Sequence, residues 1–250
     1  MQTTLKVGTS VITVEYVLGK QMVVFSHGFG VRGDSRGLFS DIAAGLPKGW
    51  GYACFDYDAF DDVKQELHAV GMEQRLKRLR TVVDWATKQK GVEAISLIGH
   101  SMGTLTIAVL APAITGHIIL LTPPLSMGSR FAELLIKRPD ASHLGSQWTF
   151  PRSDGTTTIV EDADLAELLN IDAEGELSKL ALFRPYTIIL AGSDQILPDA
   201  DYTELITMPN VSMLSIDNAD HDFTGDTRKQ LVGSIGEQLS QPVSQKSQKG

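Results

Sequence analysis

Residues 94–98 form an apolar run, residues 102–110 carry a helical pattern, and between them the chain reads Gly99-His100-Ser101-Met102-Gly103. A strand that becomes a helix over so few residues turns sharply, and its central residue carries the strain. Small residues at 99 and 103 let neighbouring backbone approach without a side chain in the way. The opening turn of the following helix, rich in Leu105, Ile107, Ala108 and Val109, favours negative charge beside Ser101. Such a turn belongs to a chain that alternates strands with helices.

The flanking sequence follows that alternation. Residues 5–7, 11–18 and 21–25 read as strands, with Gly8 and Gly19-Lys20 as turn signals. Beyond them come the apolar run 52–55, a helix over 72–88 with Leu76, Leu79, Val83, Trp85 and Ala86 near one face, and the run 94–98. The helix over 102–110 ends at Pro112, and strands are expected at 118–122, 187–191 and 211–216. Antiparallel strands first, then strand and helix in turn, predict an α/β fold with a mostly parallel central sheet flanked by helices. Ligands of such sheets sit at the carboxyl ends of the strands.

Residues 126–185 break the pattern and are expected to form a lid or cap insertion over that edge. The core is then 1–125 with 186–240, and 241–250 is a polar, disordered tail. The insertion carries helical stretches at 130–137 and 162–169, and a hairpin over 148–160 turning at Ser153-Asp154-Gly155.

A serine hydroxyl needs a base, and the base an orienting acid. Of the histidines after Ser101, His117 begins a strand and His143 lies in the insertion. His221, in Asn218-Ala219-Asp220-His221-Asp222-Phe223, follows the last strand, where an imidazole can reach over the sheet. Asp194 in Gly192-Ser193-Asp194 follows strand 187–191 and is the expected acid, with Asp199 or Asp201 as alternatives. Asp217, Asp220 and Asp222 read as loop caps or solvated groups. The oxyanion donors are expected to be the backbone N–H groups of Met102 and of Phe29, the latter in Ser26-His27-Gly28-Phe29-Gly30. His27 is read as a buttress of that loop.

The chain has 30 acidic against 22 basic residues, a net charge of −8, which argues against a nucleic-acid partner. The group Arg75, Lys77, Arg78 and Arg80 reads as a solvated helix face. Cys54 is the single cysteine and reads as a buried small hydrophobe, so no intramolecular disulfide is possible. No signal peptide or membrane span is readable, and the chain is expected to be cytoplasmic. The six histidines show no metal-ligand spacing, so neither metal nor cofactor is expected.

His27-Gly28, the Gly-His-Ser-Met-Gly turn, Gly192-Ser193-Asp194 and Asp220-His221 together resemble the α/β-hydrolase family over roughly residues 5–239. The hairpin within a short insertion resembles small bacterial carboxylesterases, including the cinnamoyl and feruloyl esterase-like group. The resemblance implies a lid that shapes an acyl or aromatic pocket. One departure stands out: where many relatives carry a G-x-G-x-S run, this chain reads Asp56-Tyr57-Asp58-Ala59-Phe60-Asp61-Asp62.

A serine at the turn excludes the aspartate-based chemistry of related dehalogenases and epoxide hydrolases. Acyl transfer to water remains, on a small or medium, uncharged and possibly aromatic ester, in a largely apolar pocket. Met127, Phe131 and Trp148 are the substrate-contact candidates, supported by Leu134 and Phe150, though each also suits the core of a lid. A thioesterase, a monoacylglycerol lipase and a peptidase share the chemistry; Glu161, Asp162 and Asp164 could hold a peptide's amino terminus, or simply start a helix. A ligand-binding protein on the same scaffold is the other class. The oligomeric state is left open.

Overall fold

The computed structural model describes residues 1–111, 113–125, 132–198 and 200–242. The tail residues 243–250 therefore lie outside the described residues.

The chain opens with β1 (Gln2–Val7), β2 (Ser10–Val17) and β3 (Gln21–Ser26), then α1 (Leu38–Ala44) and β4 (Trp50–Phe55). Next come β5 (Ala59–Asp61), β6 (Glu66–Ala69), α2 (Met72–Thr87), β7 (Ala94–His100), α3 (Met102–Leu110) and β8 (Ile118–Leu121). Then follow α4 (Ala132–Leu135), β9 (Ser142–Leu144), β10 (Gln147–Pro151), β11 (Thr157–Glu161), α5 (Asp162–Leu169) and α6 (Ala173–Phe183). The chain closes with β12 (Tyr186–Ala191), α7 (Thr203–Ile206), β13 (Val211–Ile216) and α8 (Asp226–Ser240).

Eight strands form one sheet in the order β1-β2-β4-β3-β7-β8-β12-β13. The pairings β1–β2 and β2–β4 are antiparallel, and every pairing from β4 onward is parallel. This is the mostly parallel sheet that the strand–helix alternation predicts, and the α/β-hydrolase fold that the resemblance implies. The central strands are apolar throughout because both faces are covered. Along β3, Met22 and Val24 join the core beneath α2, α3 and α6, while Val23 and Phe25 join the core beneath α1 and α8. The same alternation splits Ile118 and Leu120 from Ile119 and Leu121 in β8. Burying each such side chain contributes roughly 2 kcal/mol.

The amphipathic pattern of α2 appears as expected, with Leu79, Val82, Val83 and Ala86 buried. Neither α1 nor α6 was among the expected helices. α1 is seven residues long, and it is anchored by Phe39 stacking on Phe25 at 4.6 Å between centroids. α6 carried a readable start, since Asp172 caps it by accepting from the Gly175 N–H at 3.0 Å.

A second sheet runs β5-β6-β11-β10-β9. Its β10–β11 hairpin turns at the Asp-Gly pair, with Gly155 at φ 84°. β11 pairs in parallel with β6, and β6 pairs antiparallel with β5, so the segment that departs from the G-x-G-x-S pattern supplies the edge strand of this sheet. Among the described residues, no helix is long and apolar enough to cross a membrane.

Candidate active site

Parallel pairing places Ser26 opposite Gly99 and His100 opposite Leu121, so the ends of β3, β7 and β8 lie side by side. Ser101 stands at φ 52° and ψ −125° between β7 and α3. Its N–H donates to the Leu121 carbonyl at 2.9 Å, and its carbonyl accepts from Thr104 N–H at 2.9 Å. A left-handed φ on a residue with a Cβ is strained, and close contacts hold it there. A Cβ on Gly103 would lie 1.9 Å from the Ser26 carbonyl oxygen, and one on Gly99 2.8 Å from Ile107 Cδ1. Glycine at both positions is a steric requirement. Met102 opens α3, where the backbone N–H has no intrahelical acceptor.

Gly28 approaches from β3, its Cβ position only 3.3 Å from Ser101 Cβ. The adjoining loop is fixed from below. His27 is buried; its Nδ1 donates to the Gly28 carbonyl at 2.8 Å, and its Nε2 accepts from Tyr57 N–H at 2.8 Å. Burial, then the nearby Arg75 charge, holds His27 well below the usual imidazole range, so it stays neutral.

Arg75 differs from the expected solvated face. It is fully buried, donating from Nη2 to the His27 carbonyl and from Nε to Thr106 Oγ1 at 3.0 Å. Its guanidinium lies 4.0 Å from the centroid of the Tyr57 ring. Arg78 donates to the Tyr57 carbonyl, while Lys77 and Arg80 are exposed as expected. Helical spacing marks the face a residue occupies, but not that a neighbouring loop will cover it.

Asp194 and His221 are brought together by β12 and β13, which run in register from Tyr186–Val211 to Ala191–Ile216. His221 Nδ1 donates to Asp194 Oδ2 at 2.7 Å, and Asp194 Oδ1 accepts from the N–H groups of Ile196 and Leu197 at 2.8 and 2.9 Å. Burial alone would raise this carboxyl, but the His221 bond and the two backbone donors outweigh it, and its pKa is lowered. With Nδ1 committed as donor, Nε2 of His221 is left as the acceptor.

His100 locks the base loop: its Nε2 donates to the His221 carbonyl at 2.9 Å and its Nδ1 accepts from the Ser35 hydroxyl at 3.1 Å. Burial, then the charge of His221, pushes His100 down to about 4. The neighbouring acids are otherwise engaged. Asp220 accepts from Thr224, Asp222 pairs with Arg36 at 2.8 Å, and Asp201 caps Thr203. Asp199 lies outside the described residues.

Among the described residues, a cavity of about 230 Å³ is lined by Gly28, Phe29, Ser101, Met102, His100 and His221. Pro124, Leu134, Leu135, Ile196 and Leu197 supply apolar wall. Of the residues expected to contact substrate, Met127 and Phe131 lie outside the described residues. Trp148 does not line the cavity; it stacks on His143 in the second sheet at 4.5 Å. Phe150 is buried beside it. The acids 161, 162 and 164 do not line the cavity either: Glu161 binds Ser146 and Gln147, Asp162 binds His143, and Asp164 accepts from Gly71 N–H.

Ser101 on its strand–helix turn and His221, bonded to Asp194 after the last two parallel strands, line one cavity, an arrangement that suits a hydrolase. The model of the alpha/beta hydrolase family matches residues 23–233, and the chain belongs to that family. In fold it is similar to the Est1E protein of Butyrivibrio proteoclasticus with ferulic acid bound, at TM-score 0.71 and 17% identity, covering 96% of this chain and 100% of that one. It is also similar to the esterase domain of a Rhodothermus marinus protein (TM-score 0.67, 18% identity, covering 95% of this chain and 96% of that one). The Pyrococcus furiosus esterase Pf2001 has TM-score 0.68 and 15% identity, covering 98% and 91% of the two chains. No curated protein matches the chain.

Proposed function

We propose that this chain is a serine carboxylesterase that cleaves small or medium acyl esters through an acyl-enzyme. The reading rests above all on the 2.7 Å bond from His221 to Asp194, with His221 and a strained Ser101 lining the same cavity. In this mechanism His221 Nε2 takes the proton of Ser101 Oγ as the oxygen attacks the ester carbonyl. Asp194, kept ionised, holds the imidazole in the Nδ1–H tautomer and stabilises the imidazolium. The N–H groups of Met102 and Phe29 receive the oxyanion, His221 returns the proton to the leaving alcohol, and water repeats the cycle on the acyl-enzyme. Among the fold neighbours are esterases, which favours an ester over a thioester or amide. The engagement of Asp162 and Asp164 in structural bonds weighs against a peptide amino-terminus site.

The second sheet, with residues 132–185 and β5–β6, serves in this reading as the lid over the cavity. A fluorophosphonate probe tests the proposal. It labels the wild-type protein, and Ser101→Ala abolishes both labelling and turnover of p-nitrophenyl butyrate while the fold persists. Labelling that survives in Ser101→Ala overturns the assignment.

A further inference from the structure

Three guanidinium groups line the candidate cavity, and the apolar pocket expected from the sequence did not include them. Arg36 comes from the loop before α1, Arg138 from the segment after α4, and Arg152 from the β10–β11 turn. Asp222 is the one carboxylate among the described lining residues. A cationic cavity in a chain of net charge −8 runs against the composition around it.

Two of the three cations are matched. Arg36 Nη1 pairs with Asp222 at 2.8 Å, and Arg138 makes a two-pronged bond to Asp140 at 2.8 and 2.5 Å. Arg152 is not. It donates from Nε to Thr158 Oγ1 at 2.9 Å and from Nη2 to the Phe29 carbonyl at 3.3 Å, both uncharged acceptors. Among the described residues no carboxylate comes within ion-pair distance of it, since the nearby Asp154 is engaged by Thr156. Burial, then the charges of Arg36 and Arg138, pushes Arg152 down to about 10. A half-buried guanidinium bonded only to uncharged acceptors beside two other cations is costly, and an anionic group offsets that cost. Its fork lies against the loop of Phe29, in space left open because Gly30 has no Cβ; a side chain there would overlap Arg152 Nη2.

We infer that the substrate of this site is an ester that also carries an anionic group, a carboxylate on its acyl or its alcohol arm, received by Arg152 with Arg36 and Arg138. A planar carboxylate matches a guanidinium fork in two parallel hydrogen bonds, and Leu134, Leu135, Ile196 and Leu197 accommodate the hydrocarbon between the two functional groups. The inference rests on the esterase reading and specifies its substrate class.

The test compares matched pairs of nearly equal shape. On the acyl arm the pair is monoethyl glutarate against ethyl pentanoate, and on the alcohol arm 4-(butanoyloxy)benzoate against 4-methylphenyl butanoate. The wild-type protein is expected to prefer the anionic member at least 10-fold in kcat/KM on one arm, which also identifies that arm. In Arg152→Gln the ratio of anionic to neutral turnover falls toward one, whatever the absolute rates. Ser101-dependent turnover with no anionic preference on either arm in the wild type overturns the inference and leaves the esterase reading standing. Should Arg152→Gln fail to fold, the wild-type ratios decide alone. Absence of Ser101-dependent turnover on all four esters overturns both.

Discussion

At the scale of single residues, the site depends on close approach as much as on chemistry. Gly103 lies where any Cβ would press on the Ser26 carbonyl, and Ser26 Oγ in turn donates to the Gly103 carbonyl at 2.8 Å. The end of β3 and the start of α3 are therefore clamped together, and the loop of Phe29 begins one step beyond that clamp. Gly103→Ala must part them. The expected result is a loss of about 1–3 kcal/mol in unfolding free energy, the range for overpacking a tight site. The accompanying fall in kcat is expected to be at least 10-fold, larger than any rise in KM, because both proposed oxyanion donors flank the displaced joint. Urea unfolding and ester turnover measure the two, and a variant with unchanged kcat would show that the contact does not set the oxyanion geometry. The places of Ser101, Asp194 and His221 after β7, β12 and β13 were legible in the sequence, because apolar runs mark those strands. The role of Arg152 was not, since its partners are a threonine hydroxyl and a carbonyl on a distant loop.

At the scale of elements, α2 carries an internal charge cluster under the loop of His27 and Phe29. Arg75 and Arg78 face Asp58, whose Oδ1 accepts from Val70 N–H at 3.2 Å, and Asp58 is itself buried. Burial outweighs the two arginines and the Val70 bond and raises the Asp58 carboxyl to about 6, above its usual 3.8. The folded chain thus binds this proton more tightly than the unfolded chain. The stabilisation is fully present below the unfolded value near 4 and is lost as pH rises through about 6. Asp58→Asn removes the titration. Between pH 4.5 and 7.5 the wild type should lose about 2 kcal/mol relative to that variant. Urea unfolding of both proteins across that interval provides the check, and parallel pH curves would contradict it. The expectation of a solvated arginine face failed here for a physical reason. A charged residue at helical spacing reads as exposed, and only the tertiary path of residues 56–70 buries it. Strands β3, β7 and β8 were readable because apolar runs on two covered faces leave a continuous signal. The four residues of β6, Glu66-Leu67-His68-Ala69, carry none, and their parallel partner β11 lies some 90 residues on.

At the scale of the whole molecule, two sheets of unequal solidity meet at one cavity. The eight-stranded sheet is buried on both faces at β3, β7 and β8, whereas β9 is exposed along its length. Local opening is least costly where few apolar contacts are lost, so amides of β9 and of the β10–β11 turn should exchange with solvent far sooner than those of β7. That turn supplies Arg152, which reaches the Phe29 carbonyl, and the Pro151 carbonyl, which accepts from Arg138 at 2.7 Å. The second sheet thus touches the candidate site through one short turn. Phosphonylating Ser101 with a butyl fluorophosphonate fills the cavity beneath it. In hydrogen–deuterium exchange the expected outcome is slower exchange at residues 151–157 and in the loop of Phe29, with β1 and β2 unchanged. Equal protection everywhere would indicate global stabilisation instead. No change at 151–157 would separate the second sheet from the site and remove its role as a lid.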